Sequence, residues 1–104
     1  MIEKRSSERF RKELPLSFSN DNEHYRGMSS DFSDTGIFVI TREPFKPGSN
    51  IKMSLEVTEK KKIYLSGIVV RAIKTGIENV KDGMGVKLNN SPFIYHNFVK
   101  TLTE

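Results

Sequence analysis

The chain has 104 residues, 36% hydrophobic and 29% charged, with no cysteine and no tryptophan. That length limits it to one domain with a modest core, and the lack of cysteine excludes a disulfide framework, a thiolate metal site and a cysteine nucleophile. Seventeen basic against thirteen acidic residues leave a net charge of +4 with histidine neutral, which favours anionic partners without choosing among them.

The first twelve residues hold five basic side chains, Lys4, Arg5, Arg9, Arg11 and Lys12, against Glu3 and Glu8. They carry three of the four net charges and read as a flexible basic arm. The stretch Met1 to Ser7 lacks the apolar core of a signal peptide, and no run of about 18 apolar residues is present to cross a bilayer. A soluble, cytoplasmic protein without membrane insertion is expected.

From Leu14 onward the texture is that of short strands separated by turn residues. Leu14 to Phe18 alternates and ends at Ser19-Asn20-Asp21-Asn22, with Pro15 suited to an edge or a strand start. A second strand over His24 to Ser30 leads into Asp31-Phe32-Ser33-Asp34-Thr35-Gly36, read as a turn, and Ile37 to Thr41 is the clearest strand of all. Pro44-Phe45-Lys46-Pro47-Gly48 forces a turn. Ile51, Met53, Leu55 and Val57 alternate with polar residues as a half-buried strand, and Glu59-Lys60-Lys61-Lys62 is a solvated hairpin tip. Ile63 to Ile73 makes the fifth strand, where Gly67 suggests a bulge or a tight barrel bend; Gly83 to Leu88 makes the sixth.

The period then changes. Ser91 is placed to cap and Pro92 to take the first helical position, after which Ile94, Tyr95, Phe98, Val99 and Leu102 recur at spacings of three and four. One amphipathic helix over about residues 91–103 is predicted. The whole reads as mainly β: an arm over 1–12, then a six-stranded antiparallel β-barrel domain over 13–104 closed or plugged by its C-terminal helix.

Nothing in the sequence assembles an active site. His24 and His96 have no second ligand or nucleophile at a motif spacing and read as surface residues, and the carboxylates are scattered. Gly83-Met84-Gly85 lacks the third glycine of a dinucleotide fingerprint and the Lys-Ser/Thr of a P-loop. A non-enzyme without metal or cofactor is expected. Two patterns remain: Arg5-Ser6-Ser7-Glu8-Arg9, two arginines four apart, and Asp31-x-Ser33-x-x-Gly36 at a turn before a hydrophobic strand.

With those two patterns in that order, the chain resembles the PilZ domain family of bacterial cyclic di-GMP receptors, marked by an RxxxR motif before a six-stranded barrel and a [D/N]xSxxG motif on an early strand-turn of it. Arg5 and Arg9 match the first, and Asp31, Ser33 and Gly36 match the second, with no substitution at a defining position. The likeness extends to Pro47-Gly48, Gly67 to Arg71 and Gly83 to Val86. It implies a non-catalytic effector that takes cyclic di-GMP between the arginine arm and the barrel face. In that role it would change binding to a protein partner of the motility, exopolysaccharide or pilus machinery.

The residue types suit such a ligand. A guanidinium bonds bidentately to phosphate or to guanine O6 and N7 and stacks on a purine face. An ionised Asp31 accepts from guanine N1–H and N2–H, Ser33 donates or accepts, and Gly36 permits a positive φ and a close approach of ligand to backbone. Lys4 is a candidate additional phosphate contact. A plainer account stays open, in which Asp31 and Ser33 form local side-chain turns and the arginines are solvated. Two other functions also stay open: a PilZ module that has lost its ligand, and a small barrel binding single-stranded nucleic acid through Phe38 and Tyr64, though strand aromatics in so small a domain are more often core.

Overall fold

The computed structural model describes residues 12–77, 81–89 and 92–102. Six strands follow in chain order: β1 (Leu14–Ser19), β2 (His24–Phe32), β3 (Gly36–Ile40), β4 (Asn50–Thr58), β5 (Lys61–Ile73) and β6 (Gly83–Leu88). A single helix, α1 (Phe93–Thr101), ends the described chain. Every pairing is antiparallel and the strands close in the order β1-β2-β3-β6-β5-β4, so β6 inserts between β3 and β5 while β4 returns to pair with β1. Closure leaves none of the six described strands with an edge open to a second chain.

Alternation explains the core. In β1 the inward residues are Leu16 and Phe18, in β3 Ile37 and Val39, in β4 Ile51, Met53 and Leu55, and in β6 Met84, Val86 and Leu88; all are buried. Two aromatic groups lie at opposite ends of β2. Phe18 packs edge-on against Phe45 with ring centroids 5.3 Å apart, and Phe32 packs edge-on against Phe98 of α1 at 5.4 Å. The helix seals the second end with buried Tyr95 and Val99. The buried hydroxyl of Ser29 is satisfied by β1, donating to the Leu14 carbonyl at 2.9 Å and accepting from the Leu14 amide at 3.1 Å.

The turn over Ser19 to Asn22 forms through Asn20, whose Oδ1 accepts from the amides of Asn22 and Glu23 at 2.8 Å each. Gly48 takes φ +93° in the turn before β4. Three expectations are corrected. Gly67 sits in unbroken register with Ile51 and Leu88, and the register shift of β5 against β6 falls instead between Val69 and Arg71. Gly67 is small because a Cβ there would strike the Lys87 carbonyl of β6. The helix starts one residue later than expected: Pro92, with ψ 150°, is the N-cap rather than the first helical residue, and the helix spans Phe93–Thr101. Ser91, the expected cap, lies outside the described residues. The third concerns aromatics: Tyr64 is 72% exposed and Phe38 points outward between buried Ile37 and Val39, so neither belongs to the core.

Candidate functional site

The site begins with an irregularity in β2. The register against β3 shifts between Ser30 and Phe32, which leaves Asp31 as the extra residue of a bulge, with φ +49°. Asp and Asn tolerate the left-handed region better than other side chains. Asp31 is therefore suited to this position twice, as a backbone that can turn and as a carboxylate that the bulge carries to the barrel surface.

The following turn is held by Ser33. Its amide donates to the Gly36 carbonyl at 3.0 Å, and its Oγ accepts from the amides of Gly36 at 3.1 Å and Thr35 at 3.3 Å. Gly36 itself is not the residue with positive φ; among the described residues that conformation falls on Asp31, Gly48 and Gly76. The demand on Gly36 is steric. A Cβ there would lie 2.7 Å from the Val86 carbonyl, because β3 passes tightly against β6 at this point. The Leu88 amide donates to the Thr35 carbonyl at 2.9 Å and ties the turn to the end of β6.

Helix α1 grips the same turn with two consecutive residues. The fully buried Tyr95 hydroxyl donates to the Ser33 carbonyl at 2.7 Å, and His96 Nδ1 lies 3.3 Å from Asp34 Oδ1. Burial, with a smaller contribution from the Asp34 charge, pushes the Tyr95 hydroxyl well above its usual pKa, so it stays a donor throughout the neutral range. Of the two histidines read as surface residues, His24 is exposed and His96 is bound into this contact.

Beside the turn, an open cavity of about 400 Å³ lies on the outside of β3, β6 and β5. Asp31, Ser33 and Gly36 line one side, so the structure brings the second motif to a single face. Arg71 and Lys87 line the other, and Phe38 lies between them. Room is made by glycine: Gly36 faces Lys87 and Gly85 faces Phe38 across the β3–β6 pair, so the outward positions there hold little bulk. The Arg71 side chain runs over Gly85, its Cγ and Nε 3.5 Å from where a Cβ would stand. The cavity is thus an acceptor wall facing a cation wall across an apolar floor, which suits a flat ligand carrying both donors and negative charge. No group of three His, Cys, Asp or Glu among the described residues is placed to hold a metal ion.

Sequence reading did not single out Arg71, Lys87 or the bulge that exposes Arg71. For Lys87 a signal exists, since it stands two residues after Gly85 on a strand whose alternation points both outward. For Arg71 alternation gave none, because the shift after Val69 inverts it, and only the family likeness over Gly67 to Arg71 touched this residue. Arg5, Arg9 and Lys4 lie outside the described residues.

Comparison with known proteins agrees with this architecture. The family model for the PilZ domain matches residues 3–101. Among solved structures, the Bacillus subtilis inhibitor of motility MotI/DgrA superposes with a TM-score of 0.79 at 18% identity, covering 98% of this chain and 51% of that one. This chain therefore spans about half the length of that relative. The PilZ domain of Escherichia coli YcgR, solved with c-di-GMP, superposes with a TM-score of 0.74 at 12% identity, covering 97% of this chain and 90% of that one. No match was found among curated protein sequences. The chain belongs to the PilZ domain family.

Proposed function

Starting from membership of the PilZ family, we propose that this chain is a cytoplasmic, non-catalytic effector that binds cyclic di-GMP and thereby changes its contact with a protein partner. The observation that carries this reading is the convergence of Asp31, Ser33 and Gly36 on one side of an open cavity whose other side holds Arg71 and Lys87. Asp31 takes the guanine N1–H and N2–H edge, as an acceptor-only group can. Ser33 holds the turn in shape, its hydroxyl spent on the Thr35 and Gly36 backbone, and Gly36 keeps the wall thin. Arg71 lies over the cavity floor, where its planar guanidinium can stack on a purine or bond a phosphate, while Lys87 supplies a point charge.

Arg5 and Arg9, with Lys4 beside them, close the other face of the ligand. The fold supports their reach: Leu14 pairs with Ser29, two residues before Asp31, so the chain joins the barrel next to the bulge. Arg9 is five residues before Leu14, a span of up to about 17 Å when extended. Closing residues 1–12 over the ligand costs conformational entropy, which charge-assisted bonds and stacking offset. A ligand that favours the closed form shifts the population toward it and alters the surface offered to a partner of the motility, exopolysaccharide or pilus machinery.

Titration calorimetry with cyclic di-GMP tests this. Saturable binding is expected, weakened by about tenfold or more in Arg9→Ala, Asp31→Ala and Arg71→Ala and unchanged in Lys61→Ala. Absence of heat at ligand concentrations well above micromolar overturns the reading.

A further inference from the structure

A second surface lies beside the cavity. Along the outward face of β5, Tyr64 (72% exposed), Ile68 (40%) and Val70 (56%) form an apolar stripe one strand wide. Lys52 of β4 stands opposite Ser66, and Lys87 of β6 stands opposite Ile68, so a cation borders the stripe on each side. The one carboxylate among the outward positions of these three strands is Glu56, and Arg26 engages it at 2.9 Å. At the Tyr64 end, a recess of about 200 Å³ opens between Phe18, Met53, Lys52 and Tyr64. At the other end, Val70 and Arg71 are shared with the candidate ligand cavity.

We infer that this face docks a partner protein through an acidic segment bearing a large apolar anchor side chain. The anchor fills the recess beside Tyr64, and the flanking carboxylates meet Lys52 and Lys87. A recess for one side chain, continued by a narrow stripe, has the form of an interface hot spot with a charged rim. A second copy of this chain fits poorly, since a two-fold contact would set Lys52 and Lys87 against the same cations. A bilayer presents no single anchor side chain to such a recess. The shared Val70 and Arg71 place the docked segment at the rim of the ligand cavity, so that bound ligand and partner touch. The inference rests on the effector part of the proposed function, and calorimetry with cyclic di-GMP tests the ligand separately.

The experiment is photocrosslinking in the source cells with p-benzoylphenylalanine replacing Ile68, and replacing the exposed Asn97 of α1 as the control. The expected product is a protein whose cross-linked segment carries net negative charge. Its yield should fall about tenfold or more in Lys52→Glu and in Tyr64→Ala, while both variants keep the parent's cyclic di-GMP affinity and thermal midpoint. Four results overturn it: a cross-link to another copy of this chain or to its own terminus, capture that persists in Lys52→Glu, no capture above the Asn97 control, or capture replaced by Tyr64-dependent flotation with phosphatidylglycerol vesicles.

Discussion

The β3–β6 seam and the β1–β2–β4 seam belong to one closed barrel and share antiparallel pairing, yet their outer faces are opposite in kind. On the β1–β2–β4 side the outward side chains around Arg26 satisfy one another, Arg26 reaching both Ser17 at 3.3 Å and Glu56 at 2.9 Å, and the face opens at the small recess beside Lys52 and Tyr64. On the β3–β6 side the outward positions include Gly36, Gly83 and Gly85, and the polar groups of Asp31, Arg71 and Lys87 stand around a space. The difference teaches that an open face on so small a barrel is made as much by removing side chains as by adding charged ones. Its glycines are also of two sorts. Some let backbones approach, and one only leaves room.

Substitutions can break that comparison. The largest effect is expected at Gly85, where a Cβ meets nothing closer than the Arg71 side chain at 3.5 Å. Gly85→Leu should fill the cavity and weaken cyclic di-GMP binding by about a hundredfold or more, roughly 2.7 kcal/mol. Its thermal midpoint should not fall, because glycine is a poor strand residue; calorimetry and thermal melting read the two effects apart. At Gly83 the opposite split is expected. A Cβ there would strike the Val39 carbonyl and the Phe38 ring, so Gly83→Ala should cost about 1–3 kcal/mol in chemical denaturation by forcing β6 from β3.

A smaller change is expected at the helix contact. Tyr95→Phe leaves the Ser33 carbonyl without its 2.7 Å donor and should cost about 1–2 kcal/mol. The same residue sets an alkaline limit. Its folded pKa is raised above the ordinary value of 10.0, so the stability it contributes is complete below pH 10 and declines as pH rises further, when the unfolded chain ionises first. Stability to chemical denaturation above pH 10 should therefore fall less steeply in Tyr95→Phe than in the parent. The smallest effect belongs to the filled seam. Arg26→Ala breaks an exposed ion pair and should move the thermal midpoint by no more than about 3 °C.

Much of this was legible in the sequence because period and turn chemistry are local. Alternation in Ile51 to Val57 and the three-and-four spacing from Ile94 to Leu102 place a strand and a helix where the structure has them. The Asp31-x-Ser33-x-x-Gly36 pattern was visible as a unit, and the hydroxyl bonds of Ser33 are within three residues. What stayed hidden depends on partners distant in the chain. Gly36 was expected to serve its own φ, whereas its constraint is the Val86 carbonyl across a seam that no local pattern specifies. Tyr95 reads as one more core aromatic until the fold brings its hydroxyl to the Ser33 carbonyl. Of the register shifts, those at Asp31 and after Val69 cannot be anticipated from alternation, and each delivers a charged side chain to the site.

The insertion of β6 between β3 and β5 has a consequence for how the protein comes into being. Gly36 and Lys87 face each other with the whole of β4 and β5 lying between them in the chain. During synthesis the acceptor wall is made early and the cation wall late, so the cavity cannot exist until β6 has emerged and closed the barrel. Such distant pairing makes for slow folding. A nucleotide that fits the cavity is then bound only by finished molecules, and it raises their stability by mass action. Under the proposed function, cyclic di-GMP would act on the pool of folded protein as well as on its contact with a partner.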